Sequence, residues 1–268
     1  MNRTALRLCL AQAESAWENP ESSLKKASVF AERASREGAA IICFPEQFAT
    51  GWDPASSSFA EDEGGPVSGA YSDIAAESGI GVLGSFRERN SDGFRNTAVF
   101  FDEHGKVLSK YSKIHLFSPA GEDKCYNSGS SPSVFEYKGI RFGIAICYDL
   151  RFPELFLRYR NLGAECILVP AAWPCIRLSH WDLFLRTRAV ENRYYLAGIN
   201  TTGRTPVDEY CGGSMVVSPS GDIIAAGPVK EEGLLYADID PINSEKLPGP
   251  DTLSDRRDDL YKSWMQNS

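Results

Sequence analysis

The sequence predicts an α/β fold, a mixed sheet system covered by helices, in one domain over 1–268 with a short C-terminal tail from about 241. Three observations predict it. Short apolar runs alternate with segments of helical spacing, pairs of such runs flank turn-forming residues as hairpins, and no linker or low-complexity stretch divides the chain. The order helix, strand, hairpin occurs in both halves, though their residue identity is too low to define a repeat.

Residues 6–11 read as the first strand. Residues 20–36 read as an amphipathic helix with Leu24, Ala27, Phe30, Ala31 and Ala34 on one face and Gly38 as its stop. Residues 39–44 form a short buried strand that ends at Pro45 and Glu46. A loop over 51–66, rich in Ser, Gly and acids, precedes a helix over 67–78 and a strand over 80–86. Runs 96–101 and 107–111 flank a turn at 102–106, and runs 134–137 and 140–146 flank Lys138 and Gly139. A helix over 153–161 leads to a strand over 166–169, and a longer helix over 178–192 feeds a strand over 195–199. Runs 215–218 and 223–226 make a third hairpin around 219–222. Residues 234–239 are the last strand, and the tail from Pro241 is polar and Pro-rich.

Apolar content of 43% and charged content of 24% are those of an ordinary soluble globular protein. The net charge is −8 and the basic residues are scattered, so no electrostatic footprint for nucleic acid is present. The first residues pass straight into a strand-like segment without the apolar core and cleavage site of a signal peptide. Nothing approaches the roughly eighteen apolar residues of a membrane span. Seven cysteines, an odd number with no CxxC pair, point to free thiols in a reducing compartment. His104, His115 and His180 lie far apart and show no metal-ligand spacing. The expectation is a cytoplasmic protein with no metal, no cofactor, and no nucleic-acid or membrane partner.

Three reactive side chains stand at the ends of apolar strands. Glu46 follows residues 41–44 and Pro45, Lys113 follows 107–111, and Cys147 follows 140–146. Cys147 also precedes Pro153, which suits the first turn of a helix, so its thiol stands near a helix N-terminus. If the three strands lie side by side, their ends converge on one cleft. A thiol, a carboxylate and an ammonium together can perform acyl transfer, as nucleophile, proton carrier and stabiliser of negative charge. Taken singly, each has an ordinary reading. A free Cys is often a small core hydrophobe, and an isolated Glu or Lys is usually solvated or ion-paired.

Phe44-Pro45-Glu46, Lys113-Ile114-His115-Leu116-Phe117 and Cys147-Tyr148-Asp149-Leu150-Arg151-Phe152-Pro153-Glu154 resemble the three signature blocks of the nitrilase superfamily of carbon–nitrogen hydrolases, in that family's order and spacing. The resemblance continues through Trp173-Pro174, His180-Trp181, residues 188–192 and Gly213-Ser214, and so covers nearly the whole chain. It implies an α-β-β-α four-layer sandwich with two mixed sheets, assembled as a homodimer or higher homo-oligomer. It also implies a Glu-Lys-Cys triad: Cys147 as nucleophile, Glu46 as base and then acid, Lys113 as stabiliser of the oxyanion. Glu122 matches a second family glutamate that orders the site. The N–H of Tyr148 corresponds to a second oxyanion donor. In this setting Lys113 is expected to favour thiolate over thiol at Cys147.

Tyr148 to Phe152 resembles the amidase branches acting on deaminated glutathione and on ω-amides of 2-oxo acids. Trp173-Pro174 with Arg177, His180 and Trp181 is more similar to the 2-oxoglutaramate amidase (ω-amidase) type. The implied substrate is a small carboxylated amide such as 2-oxoglutaramate or 2-oxosuccinamate, cleaved to acid and ammonia through a Cys thioester. A carboxylate entering a cleft needs a cation, and Arg177 is the candidate clamp. Trp173, Phe48 and Phe117 are candidates for the apolar wall, and His180 for a hydrogen-bonding group beside it. Asp149, Arg151, Arg188 and Glu191 read as internal ion pairs that hold the nucleophile loop and the long helix. The alternatives are a deaminated-glutathione or short-chain aliphatic amidase with the same apparatus, and a catalytically silent binding protein on the same fold.

Overall fold

Leu8, Cys9, Leu10 and Ala11 are all fully buried, so the first strand is covered on both faces. The side chains divide with a period of two: Leu8 and Leu10 face one apolar cluster, Cys9 and Ala11 another. That division recurs through the computed structural model, which describes residues 5–240, 252 and 254–266. The expected tail from about 241 lies partly outside the described residues.

The first half contains β1 (Leu6–Gln12), α1 (Pro20–Arg36), β2 (Ile41–Cys43), α2 (Pro66–Ser78), β3 (Gly81–Asn90), β4 (Gly93–Phe101) and β5 (Val107–Ser112). The second contains β6 (Ser133–Tyr137), β7 (Ile140–Ile144), α3 (Pro153–Asn161), β8 (Cys166–Ala171), α4 (Leu178–Asn192) and β9 (Tyr195–Asn200). The short hairpin β10 (Thr202–Arg204) and β11 (Glu209–Cys211) follows, then β12 (Met215–Val217), β13 (Ile223–Ala226), β14 (Gly233–Ile239) and α5 (Asp258–Gln266). One six-stranded sheet runs β14-β1-β2-β3-β4-β5 and the other β13-β12-β9-β8-β7-β6, each mixing parallel and antiparallel pairs.

The sheets stack through Leu8, Leu10, Leu83, Phe100, Phe142 and Ile144, among others. α1 and α2 cover the first sheet through Ala27, Ala31, Tyr71 and Ile74, and α3 and α4 cover the second through Phe156, Tyr159, Trp181 and Leu185. This is the four-layer α-β-β-α sandwich. Helix aromatics sit directly on strand glycines: a Cβ on Gly84 would meet the Tyr71 ring at 2.5 Å, and one on Gly198 would meet Trp181 at 2.6 Å. Both positions therefore need glycine for close approach rather than for turning.

The expected strand over 80–86 continues to Asn90 and pairs with β4 as a hairpin. Its charged end hid the strand signal, because Arg87 and Glu88 are buried. Arg87 donates to Gln47 Oε1 at 3.1 Å and the Gly51 carbonyl at 2.9 Å, and Glu88 accepts from Thr97 at 2.8 Å. Among the described residues no helix is long and apolar enough to cross a membrane.

Candidate active site

Glu46 and Lys113 come from the first sheet, and Cys147 from the second. The strands that deliver them do not lie side by side as expected: β2 and β5 have β3 and β4 between them, and β7 belongs to the other sheet. Convergence is across the seam where the two sheets stack. Glu46 follows β2 in a turn, the Lys113 N–H donates to the Asn96 carbonyl at 2.9 Å beyond β5, and Cys147 opens a 3-10 turn over Cys147–Arg151.

Cys147 has φ +45°, a left-handed conformation that costs a non-glycine residue about 1–2 kcal/mol. Asp149 holds the turn in that shape. Its Oδ2 accepts from the Ile146 N–H at 2.9 Å and from the Tyr111 hydroxyl at 2.7 Å. Its Oδ1 accepts from the His115 N–H at 2.9 Å and lies 2.8 Å from His115 Nδ1. The His115 ring stacks on Phe152 at 3.7 Å between centroids. Arg188 adds a bond from α4 to the Leu150 carbonyl at 3.2 Å and pairs with Glu191 at 2.8 Å. Arg188 and Glu191 form the expected ion pair on the long helix, while Asp149 holds the loop through hydrogen bonds and His115 rather than through an arginine.

Glu46, Lys113 and Glu122 are fully buried together. Lys113 Nζ lies 2.8 Å from Glu46 Oε1 and 2.8 Å from Glu122 Oε2. Asn96 Nδ2 donates to Glu46 Oε1 at 2.7 Å and to Glu122 Oε1 at 3.0 Å. The Ala172 N–H donates to Glu46 Oε2 at 2.9 Å, and the Phe117 N–H to Glu122 Oε2 at 2.6 Å. Trp52 Nε1 reaches Glu122 Oε1 at 3.3 Å. Burial raises the Glu46 carboxyl above its ordinary value; Lys113 pulls it back and Glu122 pushes it up again. Glu122 moves the other way. Burial opposes its ionisation, but the Lys113 charge and the bonds from Lys113, Phe117 and Asn96 hold it below the usual range. Lys113, despite its burial, is kept protonated by Glu122 and Glu46. One carboxyl is therefore suited to carry a proton while the other stays a fixed anion.

At Cys147 burial and then the Glu46 charge push the thiol well above its ordinary value, against the pull of Lys113. Lys113 pulls toward thiolate, as expected, but burial and the Glu46 charge outweigh it and favour the thiol. A thiol in such a setting can act as a nucleophile only by losing its proton to an adjacent base.

Above Cys147 opens a narrow cavity. Trp52, Phe117, Tyr148, Trp173 and Pro174 give it aromatic and apolar walls, and Lys113 and Ala172 line it together with Cys147. Trp173, Phe117 and Arg177 line it, as expected. Two other candidates do not. Phe48 is wholly buried behind the first sheet, stacked on Phe44 at 5.4 Å, because its turn directs it toward the helices. His180 is exposed on the first turn of α4, with the Phe184 ring 6.3 Å away.

The cavity also contains a residue that was read as an ion-pair partner. Among the described residues no carboxylate pairs with Arg151; its guanidinium lies 4.8 Å from the Trp173 ring and 5.2 Å from that of Phe184. Arg177 sits over Phe117 at 5.3 Å, and its nearest acid, Asp208, is 3.9 Å away. Burial and then the Arg177 charge lower the basicity of Arg151, with Tyr148 opposing them. Two under-neutralised cations thus share an apolar chamber with the thiol.

The expectation of free thiols needs a correction. Cys175 and Cys211, 36 residues apart, form a disulfide with Cα atoms 5.0 Å apart, while Cys9, Cys43, Cys125, Cys147 and Cys166 are free.

A model of the carbon–nitrogen hydrolase family matches residues 7–247. The chain belongs to that family. This carbon–nitrogen hydrolase is 34% identical over 259 residues to the 2-oxoglutaramate amidase of Bacillus subtilis (strain 168), covering 94% of this chain and 98% of that one. It is 32% identical to omega-amidase NIT2 of Homo sapiens, covering 98% and 99%. Among solved structures, an amidase from Nesterenkonia sp. superposes with a TM-score of 0.89 at 30% identity over 98% of both chains. A variant of that amidase, with a TM-score of 0.88, shows covalent addition of the acetamide moiety of fluoroacetamide at its active-site cysteine. The present hydrolase is accordingly an enzyme of the nitrilase superfamily acting on amides.

Proposed function

We propose that this hydrolase cleaves the terminal amide of a small carboxylated amide, of the 2-oxoglutaramate or 2-oxosuccinamate type, through a thioester on Cys147. The observation that carries the reading is the pair Arg151 and Arg177 in the walls of an aromatic cavity that opens onto the thiol. A substrate carboxylate between the guanidiniums gains charge-assisted hydrogen bonds that a neutral amide lacks.

In this reading Cys147 attacks the amide carbonyl while Glu46 takes the thiol proton. Lys113 and the Tyr148 N–H hold the oxyanion, each donor of this kind being worth about 3–4 kcal/mol in the transition state. Glu46 protonates the departing ammonia, and the thioester remains. Water activated by Glu46 then releases the acid. Glu122, kept anionic, fixes the Lys113 ammonium between the two carboxylates.

The family resemblance also supports a homodimer or higher homo-oligomer. Leu183 and Val190 on α4 and Ile223 and Ile224 on β13 are exposed apolar side chains that a second copy can cover. A short-chain aliphatic amidase is the second reading, favoured by the related Nesterenkonia amidase having been obtained in complex with butyramide.

Ammonia release from 2-oxosuccinamate, 2-oxoglutaramate, deaminated glutathione, glutamine and propionamide tests the substrate class. The two 2-oxo-acid amides are expected to have the highest kcat/KM. Equal or better turnover of propionamide would transfer the assignment to the aliphatic reading.

A further inference from the structure

The segment carrying Arg177 is fastened to the rest of the cavity rim at few points. Cys175–Arg177 is a single 3-10 turn leading into α4. It faces the β10–β11 hairpin through a bridge between Pro174 and Tyr210, the Arg177–Asp208 contact at 3.9 Å, and the Cys175–Cys211 disulfide. Within the turn, Trp173 Nε1 donates to the Arg177 carbonyl at 2.7 Å. Tyr210, beside Cys211, packs with the cavity-lining Trp52 and Ala172. The disulfide is the covalent member of this set and lies two residues from Arg177. Its ends differ in access: Cys175 is half-buried and Cys211 is buried.

We propose that Cys175 and Cys211 are a reversible thiol–disulfide site at the cavity mouth, addressed by small thiols of the glutathione class, and that the oxidised state holds Arg177 in place for an anionic substrate. The substrate half of this proposal rests on the amidase reading above. A thiolate attacks the half-buried Cys175 sulfur, forming a mixed disulfide and releasing the Cys211 sulfur as a thiolate, which takes up a proton. A second thiol attacks the external sulfur of the mixed disulfide. Cys175 leaves as a thiol and one small disulfide is formed, so two electrons pass from two small thiols to the protein. The reverse reaction consumes a small disulfide.

Breaking the bond leaves Arg177 held by one long ion pair, its contact over the Phe117 ring, the Pro174–Tyr210 bridge and the bond within its own turn, none of them covalent. A less constrained guanidinium has more freedom to lose when it binds a carboxylate, so the effect falls on binding rather than on the chemical step. Reduction is expected to raise KM for 2-oxosuccinamate by about fivefold and to leave kcat/KM for propionamide within about twofold.

The test equilibrates the whole enzyme in buffers spanning ratios of reduced to oxidised glutathione. Thiols are then alkylated, the modified cysteines are located by mass spectrometry, and both amides are assayed at each ratio. Cys175 and Cys211 should pass from protected to alkylated together, and the ratio of the two kcat/KM values should change with them. A Cys175→Ser variant, altered at a half-buried position, should give the reduced-state ratio in every buffer. Cysteines alkylated throughout, or protected throughout, overturn the reversible site. A transition without change in the ratio, with both amides hydrolysed, overturns the link to Arg177. Failure to hydrolyse either amide in any buffer instead overturns the amidase reading and takes the kinetic half of the proposal with it.

Discussion

Lys113 Nζ lies 2.8 Å from Glu46 Oε1, although the strands that deliver the two residues have two others between them. Asn96, on one of those intervening strands, donates to both glutamates and fills the gap. The ammonium is thus shared by two carboxylates in unlike environments, which suits Glu46 to the proton-carrying role proposed above. Glu46→Gln retains a carbonyl acceptor but cannot take the thiol proton. It is expected to lower kcat by about 10²–10⁴ with an unchanged circular dichroism spectrum, measured by ammonia release.

The raised Glu46 carboxyl sets a pH dependence. Glu46 must be ionised to accept the thiol proton, so kcat/KM should fall as pH drops through a value above 4.5, the ordinary one for this group. Glu122 is one of the charges that raise it. Glu122→Gln should therefore move the acid limb to lower pH while reducing the maximum rate. An acid limb that stays put or moves up would show that Glu122 does not act on Glu46 through its charge.

Asn96→Leu removes the donor that both buried carboxylates share. Leaving them short of a partner should destabilise the protein by about 1–3 kcal/mol, read as a lower urea midpoint at unchanged slope.

Arg151→Ala and Arg177→Ala should each raise KM for 2-oxosuccinamate by about tenfold or more and affect propionamide far less. Equal losses on both substrates would mean that the guanidiniums support the walls through Trp173 and Phe117 rather than bind a carboxylate.

Asp149→Asn replaces a four-partner acceptor with a group that can accept at only one atom. The Ile146 N–H and Tyr111 hydroxyl on one side and the His115 groups on the other then compete for that single oxygen, and the losing side faces an NH2 group. The positive φ at Cys147 then loses its restraint, and kcat should fall by about 10²-fold with little change in KM.

Glu46, Lys113 and Cys147 were legible in the sequence because each sits in a distinctive block at a strand end. Their convergence was legible too, but its geometry was not. Strand ends that meet along one rim and strand ends that meet across stacked sheets leave the same local pattern. Asn96 gave no signal, since a lone Asn within an apolar run looks like a strand-end residue until two carboxylates are seen beneath it. Trp52, within a Ser- and Gly-rich loop, was hidden for the same reason. Arg151 stands two residues from Asp149 and so looked like part of an ion pair, but Asp149 is already saturated by Ile146, Tyr111 and His115. Phe48 follows the Glu46 block and Phe117 ends the Lys113 block; only the turn direction sends one to the core and the other to the cavity. Cys175 and Cys211 could not be paired from spacing, because the fold brings them together across 36 residues. The expected helix faces were legible throughout, since Ala27, Ala31 and Ala34 lie buried on α1 as their period requires.

The central claim is that the amide carbon becomes bonded to the Cys147 sulfur. Rapid acid quench of the enzyme during turnover of 2-oxosuccinamate, followed by intact and peptide mass spectrometry, measures this directly. The account expects an added mass equal to the substrate less ammonia, confined to the peptide bearing Cys147 and absent from an inactive Cys147→Ala variant. Sustained ammonia release by that variant, or an acyl group found on another residue, would contradict it.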